Sequence, residues 1–336
     1  MDETPTNENN AVPVEANSLS DYTPYKLNFL LPLPISKETK SNYKQAFSID
    51  KPKTSSKKRT FIRYILPTYH SRLSLPSISY DQQTTNSPIN DICDMRFIII
   101  RHGERVDRYF GANWYKLAFD ENDQYRPYHR NYPSSLPFRS NRYFWALDTP
   151  LTSTGLDAAE RLGRSLWKKN VHPQYVYSSP AMRCILTTIQ ILKGLKLDNQ
   201  VAIRIEPGLL EFGASKFGMH IFLQPMDWHQ YGVNVDLSYQ PILSIVPPYE
   251  RENAYYLRSK YVIREIEKRH QNTTNQVSNI FLIAHATSPE TLTWDLLGRQ
   301  PNVDDLYRLS LNVAYLQTVI IEHKQDKPYW SFQPRD

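Results

Sequence analysis

The sequence predicts an α/β protein built on a doubly wound, mostly parallel sheet with helices on both faces. Three observations lead there. Short, continuous apolar runs at residues 97–100 and 280–284 read as strands buried on both sides. Segments with helical spacing alternate with such runs from residue 91 onward. The intervals between runs are long enough for the crossover helices that parallel neighbours require.

Taken in order, residues 97–100 form the first strand. Residues 154–169 carry Leu156, Ala159, Leu162, Leu166 and Trp167 on one side of a helix, with Thr152 or Ser153 as its cap. Residues 175–177 are a short strand. It leads into Ser178-Ser-Pro180, where Ser179 is expected as cap and Pro180 as the first position of a helix over 181–192. A strand at 201–205, a long helix at 250–270, a strand at 280–284 and a helix at 290–297 closed by Gly298 follow. A late strand at 313–322 is expected to pair with 329–332. Two stretches, 108–150 and 212–248, break the alternation and read as long structured insertions after the first strand and after the loop ending at Glu211.

Residues 1–90 differ from the rest. They are rich in Ser, Thr, Asn, Lys and Pro, lack periodicity, and contain none of the glycines, all of which lie at or beyond Gly103. This segment is expected to be largely disordered or loosely attached, with a single folded domain over 91–336. Within it, Leu30-Leu-Pro-Leu-Pro34 is an apolar candidate for docking and Lys57-Lys58-Arg59 a basic cluster suited to nuclear import. The start at Met1-Asp-Glu-Thr is acidic and polar, unlike a secretory or transit peptide. Two cysteines, Cys93 and Cys184, exclude a disulfide framework or a cysteine-rich zinc site and fit a reducing compartment. No apolar stretch approaches the ~20 residues that span a bilayer. The expected setting is therefore the cytoplasm, without membrane contact. A net charge of +6 suits an anionic substrate but is too small to argue for nucleic acid.

The chemistry gathers at strand ends and helix starts. The first strand delivers Arg101, His102 and, one turn later, Arg105. Arg183 lies one turn into the helix after Ser-Ser-Pro, whose amino end itself favours an anion. Glu211 ends the loop Glu206-Pro-Gly-Leu-Leu-Glu211, and His285 closes the apolar run Phe281-Leu-Ile-Ala284. Carboxyl ends of parallel strands share one edge, so these groups can converge. Guanidinium forks match phosphate geometry, and imidazole serves as nucleophile or proton carrier near neutral pH. Each residue alone has an ordinary reading as surface or packing; together they point to phosphoryl chemistry centred on a histidine.

The motifs Arg-His-Gly-Glu-Arg-Val-Asp107, Tyr125-Arg-Pro127, Asn131-Tyr-Pro-Ser-Ser-Leu-Pro137, Pro150-Leu-Thr-Ser-Thr-Gly155, Ser178-Ser-Pro-Ala-Met-Arg-Cys184 and Glu206-Pro-Gly-Leu-Leu-Glu211 carry a resemblance. They resemble the histidine phosphatase superfamily, with its phosphoglycerate mutase-like fold. Within it the match is to the phosphatase domain of the suppressor of T-cell receptor signalling (TULA) proteins, shared by insect ecdysteroid-phosphate phosphatases. The resemblance implies a phosphomonoester hydrolase with His102 as phosphate-accepting nucleophile and Glu211 as proton donor. Arg101, Arg105, Arg183 and His285 would hold the phosphoryl oxygens, with no metal or other cofactor. It further implies a phosphotyrosine protein or a bulky organic ester such as a steroid phosphate as substrate, and a homodimer.

Two features depart from that pattern. Ala286-Thr287 follows His285 where the branch usually has glycine. The upstream segment is too short and poorly patterned for ubiquitin-associated and SH3 domains, so their partners do not carry over. A phosphoglycerate mutase-type transferase is the first alternative function, disfavoured by Glu104-Arg105-Val106-Asp107 after the Arg-His-Gly triplet. A non-catalytic phosphate-binding protein is the second, disfavoured by the complete set of six residues. The aromatic and basic residues Tyr109, Trp114, Tyr132, Phe138, Arg139 and Arg142 are expected either to wall the pocket or to pack the insertion.

Overall fold

The computed structural model describes residues 93–271, 277–324 and 329–333. All of them lie in one of the chain's two compact units, Ser71–Asp336. The expected tail, with its apolar and basic segments, lies outside the described residues.

Six strands form one sheet: β1 (Cys93–Arg101), β2 (Tyr175–Ser178), β3 (Ile203–Ile205), β4 (Ser278–Ala284), β5 (Thr318–Lys324) and β6 (Ser331–Phe332). Their order is β3-β2-β4-β1-β5-β6. The first four are mutually parallel, and β5 and β6 continue the sheet antiparallel. Alternate side chains of β1 and β4 enter different cores, the signature of a sheet covered on both faces. Ile98, Ile100, Phe281 and Ile283 pack with helices α1 (Ser153–Lys168) and α2 (Met182–Gly194). Phe97, Ile99, Ile280 and Leu282 pack with Val262, Ile263 and Ile266 of α3 (Glu252–His270). No described helix is long and apolar enough to cross a membrane.

The sheet begins and ends a few residues away from the expected bounds, but three differences have physical causes. Ser179 does not cap α2; Ala181 holds the cap position without a side-chain bond. The first free amide, Met182 N–H, donates instead to Asp148 Oδ1 at 2.8 Å, from 34 residues upstream. Residues 290–297 are not one helix: a helical turn at Ser288–Thr291 passes into turns closed by Gly298 at φ 65°. Residues 313–317 form a loop rather than the start of β5, because Arg101 captures the Val313 carbonyl.

Most of the residues proposed as a pocket wall are packing. Trp114, Tyr132 and Trp145 are buried, and Phe110 stacks on Tyr132 at 4.0 Å. Arg142 donates to the carbonyls of Tyr115, Lys116, Phe119 and Asp120, and Arg139 pairs with buried Asp148. Only Tyr109 and Phe138 of the six stand exposed. The first insertion thus makes its own small core.

Helices α1 and α2 cross at Gly163 and Gly194. A Cβ on Gly163 would fall inside van der Waals contact of the Ile191 carbonyl, and one on Gly194 inside that of Glu160. Alanine ordinarily stabilises a helix by about 1 kcal/mol over glycine, whereas overpacking a tight contact costs about 1–3 kcal/mol. Gly163→Ala is therefore expected to lower the unfolding free energy measured in denaturant by about 1–2 kcal/mol. A gain in stability would mean that the crossing yields.

Candidate active site

Register decides where the functional groups leave the sheet. Ile100, Ile283 and Ser178 lie side by side, and Arg101 lies beside Ala284. The ladder continues past the strands: His102 N–H donates to Ala284 O, Ser179 N–H to Ile283 O and Glu206 N–H to Ser178 O, at 3.0, 3.0 and 2.9 Å. His102, Ser179, Glu206 and His285 therefore emerge at one edge.

The segment after His102 is held by the start of α1. Thr152 caps that helix, accepting from Gly155 N–H at 2.9 Å, and its Oγ1 donates to Glu104 Oε2 at 2.7 Å. Thr152 N–H donates to Glu104 O, and Val106 N–H to Pro150 O. Gly155 lies so close to this segment that a Cβ would sit 2.6 Å from Glu104 O. Gly103 N–H donates to Thr187 Oγ1, which donates in turn to Arg183 O. One threonine thus couples the nucleophile loop to the helix bearing Arg183.

His102 is buried, and its Nδ1 lies 2.8 Å from Gly103 O. A carbonyl only accepts, so Nδ1 carries the proton and Nε2 the lone pair. Burial, then Arg183, hold its pKa well below the usual imidazole value, so the ring is neutral. His285 is fully buried, with its ring 5.6 Å from that of His102, edge to face. Burial and Arg183 depress its pKa as well. Arg183 Nη2 reaches both Glu211 Oε2 at 2.9 Å and His285 Nδ1 at 3.2 Å. Burial works against the Arg183 charge, but Glu211 beside it more than compensates and its pKa is raised.

The other two arginines are braced rather than idle. Arg105 forms a two-point pair with Asp107 at 2.9 and 2.7 Å. Arg101 binds Val313 O and lies 4.4 Å above the ring of Tyr315. Its pKa is lowered by burial. The Nε atoms of Arg101 and Arg183 are buried without an acceptor, so both retain N–H capacity for an oxyanion. The loop of Glu211 is set from two sides. Buried Glu206 accepts from Gly208 N, Ile242 N, Leu243 N and the Tyr239 hydroxyl, while Arg258 donates to the Gly208 and Leu210 carbonyls.

The structure thus gathers Arg101, His102, Arg183, Glu211 and His285 at the carboxyl edge, with Arg105 one turn away. It adds residues that sequence reading missed. Tyr315 faces His102 at 5.9 Å between ring centres, next to Leu316 in a left-handed conformation at φ 60°. No sequence periodicity marks that loop. Ala286 and Thr287 need no glycine, since neither has positive φ. A groove of about 640 Å³ opens elsewhere, lined by Tyr128, His129, Ser153, Asp157, Gln190 and Lys193, and includes none of the gathered residues.

The depressed histidines make a stability prediction. Below about pH 6.5 an unfolded histidine takes up a proton that buried His102, His285 and His270 (about 4) refuse. The unfolded state then binds more protons, so stability is present above that pH and is lost as pH falls. Lowering pH from 7.5 to 5.5 is expected to cost about 1 kcal/mol for each such residue. In denaturant unfolding, His102→Gln should lose less than wild type by about that increment. Equal losses would show that folded His102 protonates in this range.

Comparison with known proteins bears on this geometry. The model of the histidine phosphatase superfamily (branch 1) matches residues 136–332, which include Arg183, Glu211 and His285. The chain is 33% identical over 238 residues to mouse ubiquitin-associated and SH3 domain-containing protein B, covering 69% of this chain and 37% of that protein. It is 34% identical over 234 residues to the ecdysteroid-phosphate phosphatase of Drosophila melanogaster, covering 68% of this chain and 30% of that protein. It therefore spans about a third of the length of these relatives. The crystal structure of the ecdysone phosphate phosphatase of Bombyx mori in complex with tungstate superposes with a TM-score of 0.60 at 27% identity, covering 71% of this chain and 92% of that one. A phosphoglycerate mutase-like sheet, imidazole and guanidinium groups at its carboxyl edge, and a family match over more than half the chain agree: the chain belongs to the histidine phosphatase superfamily.

Proposed function

We propose that this chain hydrolyses phosphate monoesters through a phosphohistidine formed on His102. The observation that carries the proposal is the neutral His102 ring. Its Nδ1–H is locked to Gly103 O and its Nε2 lone pair is left for attack, beside Arg183 and His285. In the first step Nε2 attacks phosphorus and the bond to the ester oxygen breaks. Arg101, Arg105, Arg183 and His285 are assigned to the phosphoryl oxygens, where preplaced positive charge stabilises the transition state. Water then cleaves the N–P bond and returns His102.

Glu211 is assigned the proton transfers: it gives a proton to the departing oxygen and takes one from the attacking water. In the free protein it faces Arg183. A bound phosphoryl group competes for the same guanidinium. Glu211 then faces a dianion in place of a cation, a setting in which a carboxyl group favours its protonated form.

Phosphotyrosine proteins and bulky organic esters such as steroid phosphates are the proposed substrates. The ring of Tyr315 beside His102 and the names of the ecdysteroid-phosphate phosphatase relatives support that choice.

Rapid-quench labelling with a ³²P-labelled aryl phosphate is expected to give phosphohistidine on wild type and none on His102→Ala; label persisting on the variant would overturn the assignment. A general acid contributes about 10²–10⁴-fold, and most where the leaving group is poorest. Glu211→Gln should therefore approach that loss in kcat/KM on an alkyl phosphate and lose far less on an aryl phosphate, whose phenol has a pKa of about 10. Equal losses on both would remove Glu211 from the donor role.

A further inference from the structure

Ser179 lies in the fold where a helix cap was expected, yet its side chain faces the active site. It is fully buried, and its Oγ lies 2.9 Å from His285 Nε2. Both ring nitrogens of His285 are thereby engaged, since Nδ1 lies 3.2 Å from Arg183 Nη2.

Direction along this chain of contacts is fixed by its ends. A guanidinium only donates, so Nδ1 of His285 must accept and Nε2 must carry the ring's proton. Nε2–H then donates to Ser179 Oγ. The Ser179 hydroxyl is free to donate onward, and it hydrogen-bonds the side chain of Cys184. Cys184 Sγ donates in turn to Ala284 O at 3.4 Å, and a carbonyl only accepts. Burial pushes the Cys184 thiol up to about 12, so it keeps the proton this last step needs. An obligate donor, Arg183, and an obligate acceptor, the Ala284 carbonyl, thus close a one-way relay. It passes through His285, Ser179 and Cys184, and every member is buried. Hydrogen bonds aligned head to tail in a low-dielectric interior reinforce one another.

We propose that Ser179 is a positioning residue that fixes His285 as the Nε2–H tautomer and, through its Nδ1, holds Arg183 aimed at the phosphoryl site. This rests on the phosphohydrolase reading above. Arg183 Nη2 has two anchors, Glu211 and His285. When a phosphoryl oxygen takes the place of Glu211, His285 is the anchor that stays. Without Ser179, the Nε2 proton loses its acceptor. Moved to Nδ1, that proton meets an N–H of Arg183, donor against donor.

Ser288 supplies an independent brace. Its Oγ accepts from His285 N–H at 3.0 Å and fixes the backbone, not the ring. Ser179 acts on the ring alone, so the two contributions separate in experiment.

The test reads the tautomer directly, by long-range ¹H–¹⁵N NMR of histidine-labelled full-length protein, with His285→Gln used to assign the signal. Wild type is expected to show neutral Nε2–H at His285, and Ser179→Ala to shift it toward Nδ1–H. Ser179→Ala should lower kcat/KM about 10- to 100-fold, the factor one buried hydrogen bond represents, with Ser179→Thr recovering both readouts. An Nδ1–H tautomer in wild type would overturn the proposal. So would an unchanged tautomer in Ser179→Ala, or a kcat/KM within twofold of wild type. The NMR arm needs no substrate. If wild type turns over no phosphate ester, the phosphohydrolase reading fails while the tautomer result still decides the role of Ser179.

Discussion

Parallel pairing in a single register is the constraint on which the site depends. A parallel ladder gives every strand the same polarity, so the last hydrogen-bonded residues of β2, β4 and β1 lie in one row. Side chains one or two positions beyond that row have no strand to continue and meet at the edge. The helices that cover the two faces are what make such a sheet stable, because its strands are apolar on both sides. The catalytic geometry is thus a by-product of how the core is buried. A one-residue slip of β4 against β1 would move His285 away from His102 and exchange Phe281 and Leu282 between the two cores. Packing therefore guards the register, and the register guards the site.

The same edge concentrates positive charge in a place that is nearly dry, which is costly unless each charge has a partner. The solution differs for each group. Arg183 uses Glu211, Arg105 uses its near neighbour Asp107, and Arg101 uses a carbonyl and the face of Tyr315. The two histidines avoid the cost by remaining neutral. A cluster of this kind keeps donors in place without a bound anion, and this preplacement is what allows it to act without reorganisation when charge develops. Glu211 belongs to both parts of this arrangement: counter-charge in the free protein and, under the proposed chemistry, proton carrier once phosphate takes its place.

Much of this was legible because the relevant residues interrupt a pattern. His102 and His285 end apolar runs, and a polar group at the end of a buried strand must be there for a partner. Arg183 follows Ser-Ser-Pro, which announces a helix start even though the cap itself lies elsewhere. What stayed hidden has a common physical character. Asp148 caps α2 from 34 residues away, Glu206 and Arg258 shape the loop of Glu211 from different elements, and Tyr315 arrives on a loop with no periodicity. These are long-range polar contacts, and local spacing carries no trace of them. The aromatic residues of the first insertion erred in the opposite direction. Their composition suits a pocket wall and a satellite core equally, and only burial separates the two.

Ser179 shows why local reading fails at such positions. A serine just before Ser-Pro-type helix starts has two competing uses, satisfying a helix amide or satisfying something across the fold. Here Asp148 already supplies the acceptor for the first amide of α2. That leaves the serine hydroxyl available to face His285. The two facts are one arrangement: the carboxylate that pairs with Arg139 in the first insertion also relieves Ser179 of its structural task. The insertion, which contributes little to the pocket wall, therefore reaches the active site through a single buried aspartate.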